Sequence, residues 1–228
     1  MEYFEAMDII GGLSKPSKMP WYSWSTSAYD CITGSKLREV EGSVCEDCYA
    51  CKGKYCFPNV RESHDRKLEA LNHPDFVEAF ILVLTKLHER VRKTYKIKGK
   101  SVKENRFRWH DSGDLQSVDH LNKIVVIAKA TPFITHWIPT REFGIVNQWL
   151  SENPEGFPDN LTVRMSVPMK GEISKKQPMG LPFSTVGVDE KILKDNNIKQ
   201  CESRKTENKC GDCTQCWSSE NNINYPLH

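Results

Sequence analysis

RFRWHDSGDLQSVDHLNKIVVIAKATPFITHWIPTREFGIVNQWLSENPEGFPDNLTVRMSV, residues 106–167, alternates between strand-like and helix-like patterns. Arg106 to Asp111 reads as a short strand. Ser117 to Ala130 follows as a helix with Leu121, Ile124, Val125 and Ala128 on one face. Phe133 to Ile138 is a second strand, Gly144 to Glu152 a second helix and Leu161 to Val167 a third strand. Short connections between them argue for parallel βαβ units. In such units functional groups gather at the C-terminal ends of the strands. Those ends read His110-Asp111-Ser112-Gly113-Asp114, Thr140-Arg141-Glu142 and Ser166, all of them polar.

Upstream, the helical period begins at Asn59. His73-Pro74-Asp75 with Glu78 marks a helix start, Asp75 capping and Glu78 completing the box. Phe76, Phe80, Val83, Leu84, Leu87 and Val91 then repeat at helical spacing, and a Lys-rich loop with Gly99 ends the run. The first 60 residues show little periodicity, apart from a strand edge at Pro20-Trp21-Tyr22-Ser23-Trp24-Ser25. Downstream, Met169 to Pro182 is loop-like, Ser184 to Val188 a short strand, and the tail from Cys201 is hydrophilic except for its cysteines and Trp217. The expected organisation is one domain over 1–228: an irregular cysteine-bearing segment (1–60), a βα core (61–190) and a cysteine-bearing tail (191–228).

A chain of 228 residues, 38% hydrophobic and 27% charged, is long and apolar enough for a buried core and too apolar for disorder. The formal net charge of +2 provides no overall field for nucleic acid or anionic lipid. A nucleic-acid partner would need a local patch. The candidate is the basic scatter from Arg90 to Lys103 around Tyr95, whose plainer reading is a solvated helix end. No run reaches the length of a membrane span, so no membrane partner is expected. Met1 to Gly12 is acidic and lacks the pattern of a signal peptide. The expected location is the cytoplasm, where nine thiols more often bind metal or do redox work than form disulfides.

Cys45, Cys48 and Cys51 stand at C-x2-C-x2-C, with Cys31 and Cys56 as outliers. Cys210, Cys213 and Cys216 repeat that spacing, with Cys201 as their outlier. Such a run with a more distant fourth cysteine can wrap an iron–sulfur cubane, as in bacterial ferredoxins. Zinc prefers two C-x2-C pairs separated by a longer loop, although a triple run can supply two of its three thiols. Between the tail thiols lie Gly211, Asp212, Thr214 and Gln215, too little apolar mass to bury without a metal. Spacing alone leaves the N-terminal set open: Cys45, Cys48 and Cys51 with either outlier, Cys51 or Cys56 being equally readable as an ordinary thiol.

Gly42-Ser43-Val44-Cys45-Glu46-Asp47-Cys48-Tyr49-Ala50, with Cys31 upstream and Asn59 downstream, resembles the tailed-phage family gene product eighty-eight. The likeness continues through Asp111-Ser112-Gly113-Asp114, Trp137-Ile138-Pro139-Thr140-Arg141, Arg164-Met165-Ser166-Val167 and the tail Cys201…Cys210-x2-Cys213-x2-Cys216-Trp217. The Cys-x2-Cys-Tyr-Ala element is also similar to a phage family related to radical S-adenosylmethionine (SAM) enzymes, in which three cysteines hold a 4Fe-4S cluster and leave one iron open. The resemblance implies two 4Fe-4S clusters, one on Cys31, Cys45 and Cys48 and one on Cys201, Cys210, Cys213 and Cys216. It also implies an incomplete (βα) barrel, in agreement with the alternation, and a host-cytoplasm location. The gap from Cys31 to Cys45 departs from the usual C-x3-C-x2-C spacing, and Cys51 and Cys56 are additions to the pattern.

His110, Asp111, Ser112, Asp114 and Arg141 are the candidates for a SAM or small-molecule substrate pocket at the strand ends. Their plainer roles are helix capping by Asp114 or Ser117 and a structural salt bridge at Arg141. Arg164 and Ser166 are weaker candidates, and Trp217 is placed to shield a cluster from water. His64, His73 and His88 read as surface or capping residues. Three functions compete: a radical-SAM-like enzyme, an electron-transfer or redox-sensing protein served by an electron donor, and a zinc-stapled nucleic-acid-binding module. No residue names a substrate.

Overall fold

The computed structural model describes residues 1–19, 21–97, 105–174 and 177–227. The sequence-derived alternation becomes three adjacent parallel strands, Asn105–Trp109 (β2), Ile134–Thr140 (β3) and Leu161–Ser166 (β4). Their crossovers are the helices Val118–Ala130 (α5) and Phe143–Glu152 (α6). Ser117 caps α5 by accepting the His120 N–H at 3.0 Å, so the capping role at this strand end belongs to Ser117. The sheet extends to seven strands, all pairs parallel, with Tyr22–Trp24 (β1) at one edge. Beyond β4 come Phe183–Val186 (β5), then Asn222–Tyr225 (β7), then Ile198–Gln200 (β6). The class is α/β. Pro20 and residues 98–103 of the basic stretch, Gly99 among them, lie outside the described residues.

The end segments are more ordered than the sequence suggests. Tyr3–Ile9 (α1) and Ile32–Leu37 (α2) are helices within the segment read as irregular, and the tail region adds Glu190–Asp195 (α7), β6 and β7. Periodicity missed them because each is seven residues or shorter and is held by packing rather than by its own propensity. Pro58–Ala70 (α3) and Phe76–Ile97 (α4) match the expected helices, with α4 starting directly after Asp75.

The two faces of the sheet differ. Phe107, Trp109, Ile138, Val163 and Met165 point into the core, where the α4 residues Phe76, Phe80, Val83 and Leu84 meet them. The Phe80 and Trp109 rings lie 4.7 Å apart, and Trp24 stands edge-on to Phe76 at 5.6 Å. Each such buried side chain contributes roughly 1.5–3 kcal/mol. His136 is satisfied in this core: Trp109 Nε1 donates to its Nδ1 at 3.3 Å, and its Nε2 lies 2.9 Å from Thr131 Oγ1. Thr131 donates its own proton to Ile127 O, so the imidazole is the neutral Nε2–H tautomer, and burial holds its pKa at about 3. The opposite face carries Arg108, Trp137, Thr162 and Arg164, and the tail lies on it. Trp217 packs on Trp137 at 5.1 Å, its Nε1 donating to Phe107 O, while Thr162 Oγ1 donates to Trp217 O.

Lys67 of α3 is 1% exposed, and its Nζ donates to Ser14 Oγ at 2.9 Å. Burial pulls its pKa down to about 8 from 10.5, with Asp111 opposing the shift. Between those values the unfolded chain holds a proton that the folded chain has released, so this group makes stability rise with pH across the window. Below it, the full cost of burying the ammonium is present. Urea unfolding at about pH 8 and pH 10.5 should show this rise in the wild type relative to Lys67→Met. Equal slopes in the two proteins would show that Lys67 makes no such contribution.

Candidate metal centres

After β1, Ser27 caps a short turn over Ala28–Asp30, and Cys31 becomes the N-cap residue of α2. The helix is fastened to the strand ends by Glu142, whose two carboxylate oxygens accept from Thr33 N at 2.8 Å and Thr33 Oγ1 at 2.7 Å. Gly34, one turn into α2, has no side chain for a specific reason. A Cβ there would stand 2.9 Å from Cys31 Cβ, 3.5 Å from Cys31 Sγ and 3.7 Å from Cys45 Sγ. The two sulfurs therefore share one wall. The loop that follows is anchored beyond β4, with Val44 N donating to Pro168 O at 2.8 Å and Lys170 bonding Glu46 and Asp47. Cys48 N donates to Cys45 O and Cys51 N to Cys48 O, so three thiols follow on successive turns.

Burial, then Asp114, Cys48, Cys45 and Glu142, push the Cys31 thiol far above its ordinary range. Cys45 is raised by burial and opposed by Arg141 and Arg38. Cys51 is raised by burial and by Cys48, while Arg38 donates to its sulfur at 3.2 Å. Cys56 is exposed at the rim, its thiol donating to Cys51 O. The structure thus sets the Cys31 and Cys45 sulfurs on one wall, carries Cys48 and Cys51 on the turns that follow and leaves Cys56 exposed. Gly34→Ala should displace Cys31 and disturb this set alone. We expect faster modification of Cys31 by a thiol reagent with the tail thiols unaffected, read by peptide mapping; an unchanged rate would show that the wall has slack.

Of the strand-end candidates, Asp114 and Arg141 face these thiols. Asp114 Oδ1 accepts from Thr140 Oγ1 at 2.6 Å and Leu115 N, and Oδ2 accepts from Arg141 N at 2.9 Å. Burial outweighs those bonds and raises its pKa to about 6. Asp111 is engaged elsewhere: it accepts from Ser23, Ser25 and, at 3.2 Å, Tyr55, while Tyr49 donates to its carbonyl. His110 and Ser112 are buried with no partner on their side-chain polar atoms. His110 adopts φ 59 and stands edge-on to His120 at 5.2 Å, a neighbour that sequence reasoning missed because it lies on the core side of α5. The sequence read His64 as a surface or capping residue. It is 6% exposed, and it is buried because Tyr55 stacks beside it at 6.2 Å.

At the other end, Cys201 N donates to Asn224 O, Cys210 N to Lys18 O and Cys213 N to Cys210 O. Cys216 Sγ lies 3.2 Å from Tyr225 OH. Burial and then Cys216, Cys201 and Cys213 push Cys210 up to about 11, with Arg108 pulling back. Burial likewise raises Cys216 against Tyr225, Arg164 and Arg108. Arg164, a candidate ligand-binding residue in the sequence, is 0% exposed and committed to main chain. It donates to Phe183 O at 3.1 Å, Asn221 O at 2.7 Å, Ser218 O at 2.7 Å and Gln215 O at 3.5 Å. Arg108 was not singled out, although its place between Phe107 and Trp109 on a strand already aims it away from the core.

Among the described residues, no three His, Cys, Asp or Glu side chains form a ready-made site for a metal ion. Two surface clefts, of about 450 Å³ beside Trp149 and about 630 Å³ beside Arg66, are not lined by any cysteine. No described helix is long and apolar enough to cross a membrane. No curated protein and no solved structure matches the chain. The family model described as gene product 88 matches residues 13–219, a span holding all nine cysteines and the strands β1 to β6. The chain therefore belongs to the gene product 88 family.

Proposed function

We propose that this is an iron–sulfur protein carrying two 4Fe-4S clusters on an incomplete βα barrel. Cys201, Cys210, Cys213 and Cys216 would hold one cluster, and Cys31, Cys45 and Cys48 the other. The observation that carries the reading is the tail. Backbone bonds anchor the segments that carry the thiols, and burial followed by Cys216, Cys201 and Cys213 raises the proton affinity of Cys210, an arrangement that favours a metal able to displace its proton. Such clusters carry single electrons at potentials set by charge, hydrogen bonding and exposure.

At the N-terminal set, three thiolates would leave one iron without a protein ligand. Asp114 and Arg141 would meet a charged small molecule such as SAM there, which is the radical-SAM-like form of the proposal. Cys51 favours a second reading, in which it completes a four-thiolate set and the protein transfers electrons or senses redox state without SAM chemistry.

The test is iron, sulfide and zinc content of anaerobically purified protein, with electron paramagnetic resonance after reduction. About eight irons per chain and a signal shifted by SAM would support the open-iron form. Equal iron with no SAM effect, and a spectrum altered by Cys51→Ala, would favour the second. Zinc without iron would overturn both in favour of a zinc-stapled module.

A further inference from the structure

The turn that follows β2, residues 110–114, has a conformation its own sequence does not favour. His110 takes φ 59, the left-handed region, while its N–H donates to Trp24 O at 2.8 Å. Such an outlier persists only where the surroundings hold it. Gly113, at φ 75, has no room for a side chain, because a Cβ there would collide with Thr26. Thr26, His110, Ser112 and His120, all on this turn or beside it, are at most 3% exposed. Among the described residues, five of their polar atoms have no hydrogen-bond partner: Thr26 Oγ1, both ring nitrogens of His110, Ser112 Oγ and His120 Nε2. The two imidazoles stand edge-on at 5.2 Å, and Trp24 stands edge-on to each. Buried polar atoms are nearly always bonded, so such a group points to a polar guest.

The chemistry of these atoms narrows the guest. Gln116 N donates to His120 Nδ1 at 3.2 Å, so the neutral ring carries its proton on Nε2, a donor with no lone pair for a metal. Neutral His110 offers one donor and one acceptor, and each hydroxyl offers both. The neighbouring carboxylates are engaged elsewhere, Asp111 by Ser23, Ser25 and Tyr55, and Asp114 by Thr140, Leu115 N and Arg141 N. Burial keeps His110 neutral down to about pH 3 and pulls His120 well below its ordinary value. An uncharged set that both gives and accepts hydrogen bonds fits water. We propose that the turn 110–114 closes over an internal water site, in which Thr26, His110, Ser112 and His120 bind the water that holds His110 in its left-handed conformation. A buried water makes about three hydrogen bonds, so about two would engage all five atoms. The bound water thereby fixes the turn that carries Asp111 and Asp114, and the inference uses no thiol and no metal.

The sign of a stability change tests this. A buried hydroxyl without a partner is a cost, so deleting it would stabilise the fold; one bonded to held water contributes, so deleting it should destabilise. Urea unfolding of full-length Thr26→Val, which keeps the side-chain shape, and of Ser112→Ala should each show the folded-to-unfolded ratio lowered roughly three- to tenfold. A second readout is nuclear magnetic resonance of the 15N-labelled wild type. His120 should appear as the Nε2–H tautomer with an Overhauser contact to a long-lived water, and that contact should weaken in Thr26→Val. Stabilisation in both variants, or a wild-type His120 with no water contact, would overturn the proposal. A wild-type midpoint that rises with chloride, and does not in Thr26→Val, would also overturn it by giving the site to an anion.

Discussion

Cys213→Ala should lose about half of the iron and labile sulfide of the wild type, because the tail would hold one of two equivalent clusters. The segment from Cys201 to Ser218 should also become quickly cleavable by trypsin at Lys205 and Lys209, both of which are exposed. The loop between the tail thiols is polar and turns through Gly211 at φ 55, so it gains little from burial on its own. With one ligand gone, Cys210 would keep its proton, because burial and its neighbours already place its pKa at about 11. The N-terminal set should survive, since Glu142, Pro168 and Gly34 hold it without help from the tail. Iron content equal to wild type would remove Cys213 from the ligand set.

The largest stability effect is expected at Arg164. Arg164→Ala leaves the carbonyls of Phe183, Asn221 and Ser218 without their charged donor. Hydrogen bonds to a charged group contribute about 1.5–3 kcal/mol each and are not additive when shared, so we expect a loss of about 4 kcal/mol. The measurement is the urea midpoint of the metal-free protein, with an unchanged denaturant slope showing that the unfolded state is not the cause. A loss below about 1 kcal/mol would mean that water can replace the guanidinium.

The central strands were legible because alternation on β2, β3 and β4 is strong: Phe107 and Trp109, Ile134 and Ile138, and Leu161 and Val163 face the core. The positions of Asp114 and Arg141 just beyond β2 and β3 were legible from the same alternation. β7 was not, because Asn222-Ile223-Asn224-Tyr225 has one aliphatic residue and becomes a strand only by pairing on both sides. Its Asn224 accepts from Thr185 and donates to Gln200, contacts that no local pattern announces. The different surroundings of Cys51 and Cys56 were equally hidden, since they depend on the reach of Arg38 and on the turn that follows Cys48. Arg108 escaped notice because its importance comes from what the far end of the chain lays over it.

The placing of β7 has a consequence for the order in which the molecule is made. It follows β6 in the chain yet lies between β5 and β6, so β6 has no strand to join until residues 222–225 have left the ribosome. The nascent chain must therefore keep β6 and the edge of β5 waiting while the tail cysteines, which lie between β6 and β7, emerge. A stop codon just before Asn222 would delete an interior strand rather than trim an edge.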